Sequence, residues 1–252
     1  MLSAELREFA RSPGAYLDAG GTEIVDTDSY FAAIVAKGKY VNVFRPSFDP
    51  QDAANMLAEV RTLAPAGIGS WQTDSRELAE ALVAAGARRP APPLEWEFTA
   101  LATATAPPTV EGIDVRRIES FEDYLVGLEI ALTAEQYTDE VRAHRREEAE
   151  ATWERRKSGP ALEWLASIDG EPVAHGRAFP GPRGFLLDGG ATTPSARGRG
   201  AYRALISARW NEAVARGTPA LVVQAGEMSR PILERCGFEI VCTMYEVEHD
   251  PL

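Results

Sequence analysis

Apolar and polar residues alternate along the middle of the chain in the pattern typical of β-strands. Every second residue between positions 162 and 168 is apolar, Asp169 and Gly170 suit a hairpin turn, and residues 172–179 are predicted as a returning strand. A second turn with glycine and proline follows, and Phe185 begins a third strand. The pattern therefore predicts a meander of three antiparallel strands.

Segments with helical periodicity flank this meander on both sides. Before it, a short strand begins at Ile113, Ser120 is expected to cap a helix, and the charged segment 137–157 is predicted as a second helix. After it, the predicted elements are a helix over residues 201–216 ended by Gly217, an apolar strand over 220–223, a helix over 228–236 ended by Gly237 and a strand pair within 238–248.

The first hundred residues repeat the later part of this order. The predicted elements are a strand over residues 39–44, a helix over 52–63, a strand over 67–71, a helix over 75–85 and a strand over 94–101. An ancestral duplication would explain the repeat. Small residues and a proline pair interrupt both periodicities over residues 103–112, which we interpret as a linker. The sequence therefore predicts two domains, over residues 1–105 and 106–252.

Composition and charge narrow the range of functions. The chain has 252 residues, of which 45% are apolar and 25% charged, as in soluble globular proteins. Its net charge of −12 argues against a nucleic-acid partner, because phosphate backbones bind basic surfaces. No stretch approaches the roughly 20 apolar residues that cross a membrane, and the first residues lack a signal-peptide pattern, so we expect a cytoplasmic protein with no membrane partner. Cys236 and Cys242 lack metal-site spacing, so we expect free thiols and no metal.

A segment rich in glycine and arginine precedes the helix predicted at residue 201. In Arg197-Gly198-Arg199-Gly200, two guanidinium groups would join the free N–H groups and positive dipole end of the helix. That combination suits a pyrophosphate; the alternative is a glycine-rich helix start that only turns tightly. Gly189 and Gly190 lie in the preceding strand, where glycine often marks a bulge or the close approach of a ligand. An extended pantetheine chain could pair with backbone groups from Gly190 to Thr192.

These residues resemble the GCN5-related N-acetyltransferases, the GNAT family. The resemblance is carried by Thr193-Pro194, by the loop followed by Ala201, and by Arg235-Cys236-Gly237-Phe238 at the end of the last helix. It covers about the last 140 residues, and the first hundred resemble a degenerate half of the same fold, as in tandem members. The resemblance implies an α/β (α+β) fold with two GNAT-like lobes, each a mixed, mostly antiparallel sheet flanked by helices.

The resemblance also implies acetyl-CoA as a co-substrate. The family's pyrophosphate pattern, Arg-x-x-Gly-x-Gly/Ala, maps onto Arg197, Gly200 and Tyr202, so the last position departs from it. The Tyr202 ring must therefore point away from the phosphates or form one wall of the groove. Main-chain groups near the end of the third strand are expected to contact the thioester. The residues expected to bind acetyl-CoA are Gly190, Ala191, Thr192, Arg197, Gly198, Arg199, Gly200, Ala201 and Tyr202.

Transfer to an amine requires a base and a group that protonates the leaving thiolate. Many family members place a tyrosine for the second task four residues before the final Gly-Phe pair, where this chain has Leu233. Tyr245, ranked first, and Tyr202 are the replacement candidates, and packing is the alternative role of each. Cys236 is expected to be a small core residue rather than a nucleophile, because the helix dipole at a helix C-terminus raises a thiol pKa.

For the base, the candidates are Asp188 and His175, which lie on neighbouring predicted strands. A structural role is the alternative for His175. Glu163 is a third candidate, but if Leu162 and Trp164 face the core, its side chain faces the opposite side, which we expect to be solvent.

The predicted function is acetyl-CoA-dependent N-acetylation of a primary amine of a small molecule or peptide by direct attack. The first half is not expected to bind CoA, because its corresponding loop, residues 45–52, has no glycine and carries Asp49 and Asp52. A non-catalytic acyl-CoA-binding or sensing protein is the alternative, motivated by Leu233, and a purely structural protein is a third possibility. Exposed strand edges make a homodimer reasonable.

Overall fold

The computed structural model describes residues 1–17, 22–91, 95–134 and 137–252. These residues form two compact units. Unit 1 comprises Met1–Leu2, Ala102–Val223 and Pro231–Glu239, whereas unit 2 comprises Ser3–Leu101, Gln224–Arg230 and Ile240–Leu252. The last segment of the chain therefore belongs to the same compact unit as most of the first hundred residues.

Helices and strands account for most of the described chain. The helices are α1 (Ala4–Arg11), α2 (Ala53–Leu63), α3 (Arg76–Ala84), α4 (Phe121–Ala134), α5 (Asp139–Glu147), α6 (Ala149–Lys157), α7 (Ala201–Ala215) and α8 (Arg230–Arg235). The strands are β1 (Glu23–Asp26), β2 (Phe31–Val35), β3 (Tyr40–Phe44), β4 (Ile68–Thr73), β5 (Glu97–Thr103), β6 (Asp114–Arg117), β7 (Leu162–Ile168), β8 (Glu171–Gly181), β9 (Gly184–Thr192), β10 (Leu221–Ala225) and β11 (Glu239–His249).

Unit 2 contains a mixed sheet with the strand order β1-β2-β3-β4-β11-β5. β1, β2 and β3 are antiparallel neighbours, whereas β3 and β4 are parallel and are connected through α2. Alternate residues of β4 are buried, and this places Trp71 in the core of the unit. The Ser75 hydroxyl begins α3 by accepting a hydrogen bond from the Leu78 N–H at 3.2 Å.

The predicted elements of the first hundred residues are confirmed in type and order, as β3, α2, β4, α3 and β5. Leu94, at the start of the predicted last strand, lies outside the described residues. The sequence patterns did not predict α1, β1 or β2. The strand pair predicted within residues 238–248 is wrong, because one strand, β11, covers this segment and pairs with β4. Its sequence, EIVCTMYEVEH, contains no glycine, proline, asparagine or aspartate at which a turn would form.

Unit 1 contains the predicted meander. Its strand order is β10-β9-β8-β7-β6, and only the β9–β10 pair is parallel. Asp169 and Gly170, between β7 and β8, have φ angles of 54° and 82°, as the tight turn of a hairpin requires. The helix predicted over residues 137–157 is instead two helices, because Glu148, with φ −85° and ψ 3°, departs from helical geometry between α5 and α6.

The two units repeat one topology. In unit 2 an antiparallel pair, β2–β3, is followed by α2, a parallel strand and α3. In unit 1 the antiparallel pair β8–β9 is followed by α7, a parallel strand and α8. Glycines with positive φ, Gly86 and Gly237, follow the two corresponding helices. The repeat expected from the sequence is therefore present in the described structure.

Candidate functional site

A β-bulge interrupts the third strand of the meander. The pairing of β8 with β9 joins His175 to Ala191 and Arg177 to Asp188, so Gly176 alone on β8 lies opposite both Gly189 and Gly190 on β9. Gly189 has a φ of 58°, which an L side chain rarely adopts. The bulge that the glycine pair predicted is therefore confirmed.

Among the described residues, the opposite edge of β9 has no partner strand after Leu187. β10 pairs with β9 as far as Val223 and Leu187, whereas β9 continues to Thr192. In the part of the chain that the structure describes, no further strand pairing is found along this edge of residues 188–192. The Thr192 hydroxyl is buried and has no hydrogen-bond partner among the described residues. This backbone edge could therefore pair with an extended ligand.

The predicted anion-binding loop leads from this strand into α7. Gly198 and Gly200 have φ angles of 79° and 100°, and Gly200 occupies the N-cap position without any side-chain capping bond. The first N–H groups of α7 have no acceptors within the helix, because the preceding residues are not helical. The N-terminus of α7 therefore presents free donors together with the positive end of the helix dipole.

The two arginines of the loop contact different partners. Arg197 donates through Nη2 to the Ala134 carbonyl oxygen at 3.0 Å, near the end of α4. Arg199 pairs with Asp169 at 3.3 Å, and both side chains are largely exposed. A pair of this kind contributes little to stability, so its guanidinium group is free to exchange Asp169 for another anion.

Two large side chains of α7 fill the space beside two glycines of the sheet. A Cβ atom at Gly190 would lie 2.5 Å from Cε2 of Tyr202, and one at Gly176 would lie 3.2 Å from Nη1 of Arg209. Burial raises the pKa of Tyr202, so its hydroxyl stays protonated at neutral pH. The ring of Tyr202 therefore packs against the β9 backbone, and Gly190 accommodates this ring on one of its faces.

Arg209 is fully buried beneath the bulge. Its Nε donates to the Leu205 carbonyl oxygen at 2.9 Å, and its Nη1 donates to the Arg177 carbonyl oxygen at 3.1 Å. Burial lowers its pKa, although the nearby Tyr202 and Asp188 oppose the effect. The contact with Arg177 ties α7 to the strand at the bulge.

The other face of the sheet carries a buried charged cluster. His175 Nε2 lies 2.8 Å from Glu163 Oε2, and Arg156 Nη1 donates to both oxygens of Glu163 at 3.0 and 3.1 Å. Glu163 is only 6% exposed, so the expectation that it faces solvent is wrong. The physical reason is that α4 and α6 cover this face, which leaves neither side of β7 open to water.

Asp188 forms an ion pair with Arg177 across the β8–β9 pair. Arg177 Nε donates to Asp188 Oδ2 at 2.8 Å, and Nη2 contacts the same oxygen. Burial lowers the pKa of Arg177, but the Asp188 charge and hydrogen bond outweigh it and leave the pKa raised. The structure thus brings Asp188 and His175 to one face of the sheet.

The remaining sequence candidates have the contacts of packing residues. Tyr245 belongs to the core of unit 2, where its ring lies 5.7 Å from that of Trp96. Leu233 and Cys236 are buried at α8 in unit 1. Burial raises the Cys236 pKa, which favours the neutral thiol over the nucleophilic thiolate.

Sequence reasoning missed Arg156, Arg177 and Arg209. Arg177 follows His175 by two positions on a strand, so its place on the same face was predictable from strand periodicity. Arg156 and Arg209 come from helices, and no local pattern indicates which sheet residue a helical arginine contacts.

No metal-binding group of three or more His, Cys, Asp or Glu residues is found in the described ranges. None of the helices described is long and apolar enough to cross a membrane. Both cysteines are free.

Comparisons with known proteins agree with this geometry. Residues 128–238 match the model of the acetyltransferase (GNAT) family. A solved GCN5-related N-acetyltransferase from Kribbella flavida has a TM-score of 0.68 and 17% identity, with 98% of this chain and 96% of that chain covered. No curated protein sequence gives a match.

Two further solved structures are similar along nearly the whole chain. A functionally unknown conserved protein from Staphylococcus epidermidis ATCC 12228 has a TM-score of 0.65 and 11% identity, covering 95% of this chain and 97% of that chain. A tandem GNAT protein from the clavulanic acid biosynthesis pathway has a TM-score of 0.55 and 13% identity, covering 99% of this chain and 89% of that chain. At these identities the likeness concerns the fold, and it confirms the predicted fold class.

Proposed function

Because residues 128–238 match the model of the acetyltransferase (GNAT) family, we propose that the chain transfers the acetyl group of acetyl-CoA to a primary amine of a small molecule or peptide. The observation that carries the proposal is the unpaired edge of β9 over residues 188–192, which leads directly into the uncapped N-terminus of α7. One end of this arrangement suits an extended amide chain, and the other suits a pyrophosphate.

The described residues fit acetyl-CoA as a substrate. A Cβ atom at Gly198 would meet no atom within 4 Å, the start of α7 has no side-chain cap, and Arg197 and Arg199 supply positive charge. The buried, unpartnered hydroxyl of Thr192 offers a hydrogen bond to the ligand at the end of β9. The Tyr202 ring packs against Gly190, so the departure from the family pattern need not block the loop.

Acetyl-CoA supplies an activated thioester, and the rest of the work falls to side chains and backbone groups of this chain. Backbone N–H groups of β9 beyond the bulge would orient the carbonyl and stabilise the negative charge that develops on its oxygen. Of the proton acceptors expected from the sequence, Asp188 and His175 lie on the face of the sheet covered by α4, and Asp188 is paired with Arg177. The net charge of −12 favours the approach of a cationic amine, and we propose a cytoplasmic location for the reaction.

The test uses two glycines with nearly equal φ angles and open space beside them. Gly198 in the loop and Gly217 after the other end of α7 have φ angles of 79° and 77°, and a Cβ at either would meet no atom within 4 Å. Gly198→Glu and Gly217→Glu therefore add the same charge at positions of similar positive φ. Only the first places a carboxylate at the proposed pyrophosphate site.

Thermal unfolding of each protein is measured with and without acetyl-CoA. A ligand at a hundredfold excess over its Kd stabilises the folded state by roughly 2.7 kcal/mol. We expect this stabilisation in the unmodified protein and in Gly217→Glu, and its loss in Gly198→Glu. Equal stabilisation of both variants would refute the loop as the binding site, and no stabilisation of the unmodified protein would refute acetyl-CoA as the ligand. Release of CoA in the presence of a panel of primary amines then separates catalysis from binding alone.

A further inference from the structure

A buried chain of three side chains lies on the face of the unit 1 sheet that α4 and α6 cover. Arg156 donates to both carboxylate oxygens of Glu163, at 3.0 and 3.1 Å, and Glu163 in turn lies 2.8 Å from His175 Nε2. Glu163 and His175 are each 6% exposed. Burying two such groups costs free energy unless they remain paired.

The hydrogen bonds fix where the imidazole carries its proton. Burial alone would raise the pKa of Glu163, but the hydrogen bond to His175 and the charge of Arg156 outweigh it and lower the pKa. An ionised carboxylate only accepts, so His175 Nε2 is the donor and the lone pair of the neutral ring lies on Nδ1. Nδ1 is buried and has no hydrogen-bond partner in the described chain. Glu163 thus leaves a basic nitrogen unoccupied on His175.

The register of the sheet places His175 next to the strand segment that is proposed to bind the thioester. His175 pairs with Ala191, which lies on the unpaired segment of β9 beyond the bulge. Gly127 of α4 makes room for the ring, since a Cβ there would lie 2.9 Å from His175 Cδ2. The other carboxylate of this face, Asp188, is already engaged by Arg177.

We propose that His175, oriented by Glu163, accepts the proton that the attacking amine releases; this inference rests on the proposed acetyltransferase function. The amine nitrogen forms a bond to the carbonyl carbon, and the C–S bond breaks as the thiolate leaves with its electron pair. The N–H proton passes to Nδ1 of His175 and then to the thiolate or to solvent. The carboxylate of Glu163 balances the imidazolium charge, so Glu163 is a positioning residue.

Several elements contribute charged or titratable groups that face this pair. They are Glu163 from β7, Arg156 from α6, Tyr124 from α4, Arg177 from β8 itself and, paired with Arg177, Asp188 from β9. Because a protonated His175 cannot accept a proton, the proposal requires kcat/KM to fall on the acidic side of its pH profile.

The first test needs no acceptor amine. Nitrogen–proton correlation spectra of the imidazole rings report the tautomer of each histidine, and the chain contains only three, at positions 144, 175 and 249. We expect His175 in the form protonated at Nε2, with the assignment made by loss of its signals in His175→Gln. A ring protonated at Nδ1 in its neutral form would overturn the proposal, whatever the protein acetylates.

The second test compares pH profiles of kcat/KM, using the amine that the unmodified protein acetylates fastest in a panel. His175→Gln is expected to lower kcat by roughly 100-fold or more and to remove the acidic limb. Glu163→Gln keeps the shape of the side chain but removes its charge, so kcat falls less and the acidic limb moves to lower pH. The matched control is His144→Gln, because His144 is exposed on α5 and forms a similar pair with Glu148, at 3.5 Å. Its profile should not change.

The outcomes separate the two proposals. A pH profile of kcat/KM in His175→Gln that equals that of the unmodified protein would overturn the role of His175 while leaving the acetyltransferase function intact. If His175→Gln does not fold, the same result in Glu163→Gln would do so. An unmodified protein that acetylates no amine would instead overturn the proposed function, and the proton-transfer role would fall with it. Acetyl-CoA should stabilise the folded variants as it does the unmodified protein, because the pair lies outside the loop that is proposed to bind the phosphates.

Discussion

Replacing Gly190 with alanine should destabilise unit 1 through one contact. The added Cβ would lie 2.5 Å from Cε2 of Tyr202, with Cδ2 and Cζ at 3.4 and 3.5 Å. An aromatic ring held near the start of α7 cannot yield as the end of a flexible chain would, so the ring or the strand must shift. Overpacking of this kind costs about 1–3 kcal/mol, whereas alanine returns about 0.4–1 kcal/mol by restricting the unfolded chain. We therefore expect a net loss of about 1–2 kcal/mol.

Urea denaturation measures this loss, and two further variants identify its cause. Gly159→Ala is the control, since its Cβ would make only ordinary contacts, at 3.4 and 3.5 Å, with two carbonyl oxygens. Its free energy of unfolding should change by no more than about 0.5 kcal/mol. In a Tyr202→Ala background the overpacking cost is removed, so Gly190→Ala should stabilise by about 0.4–1 kcal/mol, which corresponds to a coupling energy of about 1–3 kcal/mol between the two positions. A cost that persists without the Tyr202 ring would refute the contact as its origin.

Two predictions concern the pH dependence of stability in unit 2. Burial lowers the pKa of His249 to about 4, so the unfolded state binds a proton at this ring more readily than the folded state does. The neutral ring therefore contributes at most about 3 kcal/mol to the free energy of unfolding. This contribution is complete above pH 6.5 and is lost as the pH falls towards 4. Between pH 4 and 6.5, the free energy of unfolding measured in urea should rise more steeply with pH in the unmodified protein than in His249→Gln. Equal slopes in the two proteins would contradict this prediction. Burial raises the pKa of Glu246 despite its hydrogen bonds to Ser70 and Gln72, so the folded state favours the protonated carboxyl group. The contribution of Glu246 to the free energy of unfolding therefore falls as the pH rises. Glu246→Gln should therefore be less destabilising at pH 7 than at pH 4, and a larger cost at pH 7 would count against the reasoning.

The sequence predicted the meander and the elements around it because their signals are local. The turn at Asp169 and Gly170 is specified by two adjacent residues that tolerate positive φ. The bulge follows from the Gly189-Gly190 pair, and α7 begins where the glycine-rich loop ends. Each of these features depends on residues within a few positions of one another, so a single sequence suffices to find them.

The features that the sequence did not reveal depend on contacts between distant segments. The alternation of side chains along β7 places Glu163 and Trp164 on opposite faces of the sheet. It does not predict that a helix covers the face on which Glu163 lies. The burial of Glu163 depends on Arg156, and the orientation of His175 depends on Glu163. Tyr245 illustrates the same limit, since its partner strand β4 comes from the far end of the sequence.

The repeated topology shows how one loop can decide which unit is able to bind an anion. In unit 2 the turn before α2 uses its own carboxylate as a cap, because Asp49 Oδ1 accepts from the Gln51 N–H at 2.9 Å. Pro50 has no N–H to offer, and Asp52 adds a second negative charge at the helix start. In unit 1 the corresponding helix follows Gly200, which has no side chain that could occupy its N–H groups. A phosphate approaching α2 would meet two carboxylates and fewer donors, so the loss of glycine from one loop is enough to restrict the predicted cofactor site to the other.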